Sequence, residues 1–551
     1  MIRTRRPHRR NCPGLCALPL LTALTMTATA PALAGESPAS LPYATQVADS
    51  LPPYQPKEQV TGTIRLWGHG SPKHDFLGKL VRRWRQDFRQ YQPHVTIVND
   101  MYGSASAVGA LYAGAGDLAI LGEEISPAAE RAFKRERHYG PTIFEIATGN
   151  VDVNYFDYAH MVFVNRANPL DRLTVPQLAR IFGDPPSGSA SGPIRTWGQL
   201  GLQGAWAGKK IQPYSWTFDQ DFGLFLRARV LRDGPWNPQI RRFITYHRPG
   251  GTIVDRGEQI LAALARDPDG IAVSNSRFAN PFVKLVKLAQ TSSGPYLLAS
   301  PPTLISQRYP LTRIIPAIVD VPPGRPVHPA IREFLRFILS RQGQRALIEE
   351  SGYLPLGPKF VREQLRKLDD LSRCRAAEGC HPAQEHGSLT ALQAQELASG
   401  PGHPLEGVIR VWGSARFQTS AQHWAARFRA SHPQDRIAFH MTGSDTGMAG
   451  LYTGEADIAL LARTATASEL QAFQWVFRHP PTCTEIPLRG FGAPSTSADG
   501  AVVYAYRNSG QGTQPLAPAF LQYISAQSRQ TARNTGTSGS VLRHRPPGSS
   551  F

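Results

Sequence analysis

From residue 61 onward the apolar positions switch between two periods. Thr63-Ile-Arg-Leu-Trp67 reads as a strand closed by Gly68-His69-Gly70-Ser71. Phe76, Leu80, Trp84 and Phe88 then recur every four residues, with Leu77 and Val81 beside them, which predicts a helix with one buried face. Val95 to Val98 forms a second strand after Pro93, Gly103-Ser104-Ala105-Ser106 opens a second helix, and Leu118 to Leu121 is a third strand. Ser126-Pro127 starts a third helix with a Ser cap and Pro at its first position. Strands alternating with helices predict a parallel, doubly wound sheet, with ligands at the carboxyl ends of the strands against helix N-termini. Further on, His160 to Val164, Gly270 to Ser274 and Ile314 to Val319 read as strands, and Val175 to Phe182, Phe222 to Val230 and Pro329 to Ile348 as helices.

Much of the first segment is written again. Trp84, Phe88, Gly103-Ser104, Leu111-Tyr112-x-Gly114, Asp117-x-Ala119-x-Leu121, Ala132-Phe133, Pro141-Thr142 and Glu145-Ile146 return in order and at constant spacing. The second set is Trp424, Phe428, Gly443-Ser444, Leu451-Tyr452-x-Gly454, Asp457-x-Ala459-x-Leu461, Ala472-Phe473, Pro481-Thr482 and Glu485-Ile486. Such spacing over a long stretch points to a duplication. The second copy lacks the middle of the first, so the expected organisation is a two-lobed clamp followed by one unpaired lobe. In residues, this is a binding domain over 61–360, with lobe 1 at 61–150 and 305–360 and lobe 2 at 151–304 inserted into it. A linker over 361–406, a partial repeat of lobe 1 over 407–525 and a disordered tail over 526–551 follow. Residues 35–60, Pro-rich and polar, are expected to be an extended lead-in.

The termini and composition narrow the class. Arg3, Arg5, Arg6, Arg9 and Arg10 precede an apolar stretch from Leu15 to Ala30 and the small residues Ala32-Leu33-Ala34. This reads as a secretory signal peptide over 1–34, so an exported, periplasmic protein is expected. No later run reaches the ~18 apolar residues that span a bilayer. Removing five leader arginines leaves 55 Lys and Arg against 41 Asp and Glu, a charge of +14. The basic residues are scattered rather than clustered, so a solvated basic surface is expected and no nucleic-acid partner. Cys374 and Cys380 could close a small disulfide loop in an oxidising compartment, or stay as free or metal-binding thiols. Four-ligand zinc spacing is absent, as are a Gly-x-Ser-x-Gly elbow and a histidine paired by motif with a nucleophile, so no metal, cofactor or catalytic residue is expected.

Three stretches resemble the substrate-binding proteins of phosphate ABC transporters, within the type 2 periplasmic binding-protein fold. The first is Gly103-Ser104 followed by Ala110-Leu-Tyr-x-Gly114-x-x-Asp117. The second is His160-Met-Val-Phe-Val-Asn165-x-x-Asn168-Pro169-Leu-x-x-Leu173-Thr174-x-x-Gln177-Leu-x-x-Ile181-Phe182-Gly183. The third is Tyr309-Pro310-Leu311 with Phe334-Leu-x-Phe-Ile-Leu339-Ser340-x-x-Gly343-Gln344 and Gly352-Tyr353-Leu354-Pro355. The resemblance implies a protein that holds an oxyanion between two lobes, through backbone N–H groups and hydroxyls at helix N-termini plus an arginine, and hands it to a permease partner without chemistry.

Carried over residue by residue, this places Gly103, Ser104 and Ser106 in the second ligand loop and Gly70, Ser71, Lys73 and His74 in the first. The first loop is longer than the family's and lacks its Thr-Phe pair, so that Lys73 and His74 either supply positive donors or belong to a solvated loop. Two departures stand out. Gly122-Glu123-Glu124 replaces the arginine or aspartate after the third strand, and Ser215-Trp-Thr-Phe-Asp219-Gln-Asp221 replaces the lobe 2 arginine and Ser-Gly-Thr turn. Glu123, Asp219 and Asp221 then face the ligand, where carboxylates repel an anion, unless Asp219 only caps the helix that follows, which is the commoner role. The usual arginine is expected to be missing. Asp117 and Asp457 read as structural. In the second copy Ser444 and Arg463 keep two elements of an oxyanion half-site. Phosphate or another small oxyanion is the expected ligand. The alternative is an exported interaction or sensory module that kept the fold and lost the ligand.

Overall fold

The computed structural model describes residues 40–69, 76–100, 102–151, 159–185, 192–216, 221–248, 253–372, 408–488, 502–510 and 514–534. The expected signal peptide and the cysteines at 374 and 380 lie outside them.

The first lobe is built on β1 (Gly62–Gly68), β2 (Val95–Asp100), β3 (Leu118–Ile120) and β4 (Thr142–Thr148). The second carries β5 (Met161–Asn165), β6 (Arg172–Thr174), β7 (Gln212–Trp216), β8 (Arg241–Phe243), β9 (Tyr246–His247), β10 (Ile253–Val254), β11 (Gly270–Ser274) and β12 (Val283–Ala289). β13 (Ile314–Val319) then returns to the first sheet, whose order is β2-β1-β3-β13-β4. The second sheet runs β6-β12-β5-β11-β7-β8, with β9 and β10 as a separate pair. This is the α/β, two-lobed architecture with lobe 2 inserted that the type 2 resemblance implies. One detail differs: neither main sheet is purely parallel. β13 is antiparallel to both β3 and β4, because it re-enters from lobe 2 rather than crossing over by a helix on its own sheet.

The C-terminal lobe consists of β14 (Val408–Gly413), β15 (Arg436–His440), β16 (Ile458–Leu461), β17 (Thr482–Pro487) and β18 (Val502–Arg507). Its order, β15-β14-β16-β18-β17, matches the first sheet strand for strand, including the antiparallel strand in the fourth position. Each of these two sheets is tied at the same place. Asp117 accepts from the backbone N–H of Arg65 (2.8 Å) and from its Nε and Nη2 (3.0 and 2.7 Å). Asp457 holds Arg410 in the same three ways, at 2.7, 3.2 and 2.9 Å. A bidentate arginine–carboxylate pair plus a backbone bond fixes a strand to the turn before its neighbour. Both aspartates are therefore structural.

Several boundaries differ from expectation. The extended lead-in contains a helix, Ser40–Asp49, whose Ala44 and Ala48 lie one turn apart and are buried against the Arg341–Ser351 helix. The expected helix over 329–348 is two, Pro329–Ile338 and Arg341–Ser351. The break falls at Ser340, whose hydroxyl caps the second through Gly343 N–H and donates to Phe337 O. Helix Pro358–Ser372 runs into the expected linker because Val361 and Leu368 are buried on lobe 1. The last helix, Leu516–Asn534, continues past the expected start of the tail, with Ser528 buried and hydrogen-bonded to Pro487 O. Among the described residues, no helix is long and apolar enough to cross a membrane.

The Arg410–Asp457 pair is nearly closed to solvent, its side chains 10% and 7% exposed, while Arg65–Asp117 is 41% and 27% exposed. Asp457→Ala should then cost about 3–5 kcal/mol, as an orphaned buried charge does. Asp117→Ala should cost only about 1–2 kcal/mol. Urea unfolding of the two variants checks the order.

Candidate ligand-binding cleft

A cleft of about 450 Å³ lies where the carboxyl-end rule puts a ligand. Lobe 1 contributes His69 after β1, Gly103 and Ser104 at the head of helix Ser104–Ala113, and Glu123, Glu124 and Ser126 after β3. Lobe 2 contributes Phe225 and Arg229, and the returning segment contributes Thr312 and Arg313. Gly103 has φ 114°, a conformation open mainly to glycine, and this turn aims the helix start at the cleft. The Ser104 hydroxyl accepts from Gly122 N–H (3.4 Å) and lies 3.2 Å from His69 Nδ1. Ser106, expected beside it, is fully buried and donates to Gly103 O at 2.8 Å. It braces the turn and does not line the cleft. Gly70, Ser71, Lys73, His74 and Asp219 lie outside the described residues, and Asp221 opens helix Asp221–Leu226 without a described side chain.

The cleft does hold an arginine, from outside the expected ligand loops. Arg313, 1% exposed, donates from Nε to Glu124 at 2.7 Å and comes within 3.9 Å of Glu123. Glu124 also accepts the Ile314 backbone N–H at 2.6 Å. The two carboxylates after β3 thus flank an arginine, and Glu123 lines the cleft as expected. Arg313 stacks over the Phe225 ring at 4.6 Å and its Nη1 stands 3.4 Å from His160 Nε2. No motif pointed to it, since it sits in the hinge stretch Tyr309-Pro-Leu-Thr-Arg313 rather than in a ligand loop. Two further buried polar residues of lobe 2 stand outside the cleft lining. Ser215, near the end of β7, and Asn275, just past the end of β11, are fully buried. Among the described residues, neither the Ser215 hydroxyl nor either polar atom of the Asn275 side chain has a partner.

The second half-site is ion-paired. Ser444 accepts from Ala462 N–H at 3.1 Å, as Ser104 does from Gly122. Arg463, however, is hydrogen-bonded to Glu469 through both terminal nitrogens (2.8 Å each) and paired with Asp445. Arg135 of lobe 1 reaches the same Asp445 at 2.8 Å. Burial disfavours the charge on Asp445, but these two guanidiniums hold its carboxyl below the usual range. Both guanidiniums are committed to carboxylates, as Arg313 is in the cleft, so the half-site expected at Ser444 and Arg463 carries an ion-pair network rather than a free arginine. Among the described residues, no group of three His, Cys, Asp or Glu side chains is placed to hold a metal.

His160 is fully buried, and its pKa is pushed well below the ordinary value by burial first and then by Arg313 and Arg256. A histidine held neutral leaves the unfolded state binding more protons below pH ~6.5. Stability should be independent of this group above that pH and fall as pH drops below it. Urea midpoints followed from pH 8 to pH 5 should decline less in His160→Gln than in the wild type.

No protein-family model matches the chain. The phosphate-binding protein PstS of Pseudomonas aeruginosa, in strains PAO1 and UCBPP-PA14, is 27% identical over 349 residues, 63% of this chain and 98% of that protein. Solved structures that match include an ABC-type phosphate transport receptor from Vibrio cholerae, 15% identical over 53% of this chain and 99% of that one, with a TM-score of 0.34. PstS from Borrelia burgdorferi matches with 14% identity over 54% of this chain and 99% of that one, with a TM-score of 0.37. The chain resembles the phosphate-binding proteins of ABC transporters over nearly their whole length, and more than a third of it lies outside the match with the Pseudomonas proteins.

Proposed function

We propose that this is an exported solute-binding protein that holds phosphate or another small oxyanion between its two lobes, without chemistry, for an ABC-transporter permease. The observation that carries the reading is the interlobe cleft. In it the hydroxyl and N–H groups at the head of the Ser104 helix share one cavity with the buried Arg313. A helix N-terminus and a guanidinium both favour negative charge, and neither requires a catalytic group. The similarity to PstS over 98% of its length supports the same reading. The basic, apolar and small-residue segments at 1–34 support export, to the periplasm in a cell with two membranes. We further propose that the C-terminal lobe is a duplicate of lobe 1, given the shared strand order and the matching aspartate–arginine ties.

A second reading, a module that kept the fold and lost the ligand, draws on the three carboxylates at the cleft, Glu123, Glu124 and Glu145. Calorimetry of the leaderless protein against phosphate, sulfate and small carboxylates separates the two. Micromolar or tighter binding of one anion is expected, and silence toward all of them favours the second reading. Ser104→Asp should abolish binding by putting a charge at the helix head, and unchanged affinity in that variant would overturn the site assignment.

A further inference from the structure

The C-terminal lobe does not trail behind the clamp. Helix Ser444–Thr453 lies against helix Ser104–Ala113, its positional equivalent, and the two share one buried core with Leu111, Tyr112, Phe133, Met448, Tyr452 and Phe473. Around this contact the arrangement is reciprocal. Helix Pro127–Arg137 of lobe 1 packs on the Ser444 helix, and helix Ala467–Phe477 of the C-terminal lobe packs on the Ser104 helix. Each lobe therefore lays a helix beside the strand-end site of the other.

The two sides then differ in charge. On one, beside the second half-site, Arg135 and Asp445 meet and Glu136 binds His440 and Thr442. On the other, the positions equivalent to Arg135 and Asp445 are Trp475 and Ala105, which cannot form an ion pair. There the helix of the C-terminal lobe borders the open cleft with the uncharged Ser468, Gln471 and Ala472, of which Gln471 is exposed.

We infer that the C-terminal lobe is a wall of the ligand cleft, and that Ser468 and Gln471 select an oxyanion carrying a polar organic substituent, such as a phosphomonoester, over the bare ion. This rests on the solute-binding reading above. The cleft, at about 450 Å³, falls in the range that encloses organic ligands and exceeds what a bare tetrahedral oxyanion fills. Its cations, Arg313 and Arg229, stand on the clamp, so the charged group belongs there. The wall from the third lobe offers a hydroxyl and an amide, which suit hydroxyl or amide groups on the substituent.

The test uses the full leaderless chain, with inorganic phosphate, glycerol 3-phosphate and a nucleoside monophosphate as calorimetric probes. The wild type should bind at least one ester more tightly than inorganic phosphate. Gln471→Trp, at an exposed position, should weaken that ester by about tenfold or more while moving inorganic phosphate by less than about threefold. Gln474→Trp, one turn portion away and outside the cleft lining, should leave both unchanged and controls for effects on the helix. A wild type that prefers inorganic phosphate to every ester, or a Gln471→Trp variant with unaltered ester affinity, overturns this inference alone. A wild type that binds none of the three, nor any anion in the wider panel, overturns the functional reading and this inference together.

Discussion

The close approach of two helices organises more of this molecule than any polar contact. A methyl group added at Gly109 would come within 2.8 Å of the Tyr452 hydroxyl and 3.0 Å of Ala449 Cβ, so the Ser104 and Ser444 helices meet at this distance because position 109 has no side chain. The surrounding core, from Trp67 and Leu121 on one side to Leu461 and Tyr506 on the other, is shared by both lobes. Burial of such apolar surface is the main source of stabilisation between packed elements, and here it crosses the boundary between the two similar sheets. One contact therefore fixes where the C-terminal lobe sits, brings Arg135 to Asp445, and lays the Ala467–Phe477 helix along the cleft.

The cleft itself is a study in charge compensation. Three carboxylates line it, and two of them are compensated: Glu124 is bound to Arg313 and to a backbone N–H, and Gln307 donates to Glu145 at 2.8 Å. Arg313 is in turn covered by the Phe225 ring and set beside a histidine that burial keeps neutral. A guanidinium held this way is fixed in orientation by its partners. The paired carboxylates set its direction.

The fold was largely readable from residue order. The four-residue recurrence of Phe76, Leu80, Trp84 and Phe88 marks a real helix, and Gly270 to Ser274, Ile314 to Val319 and Val175 to Phe182 fall on the observed elements to the residue. Local periodicity and capping are written in consecutive residues, so these survive without knowledge of packing. Where boundaries slipped, tertiary burial had overridden composition. Ala44 and Ala48 make a helix of a polar lead-in, and the helix from Leu516 outlasts its apolar pattern.

By itself, then, the chain determined its element order, its aspartate-held strand turns and the glycine-serine head of the helix at 104, because each depends on neighbours in sequence. Only the tertiary structure decided the chemistry of the cleft. Arg313 reaches Glu124 across 189 positions and Arg135 reaches Asp445 across 310. Pairings of that separation leave no period or spacing to read. Which arginine lines the cleft, which carboxylates pair with Arg463 and which helix borders the opening were all set by how three sheets pack, since charge acts through space and not along the chain.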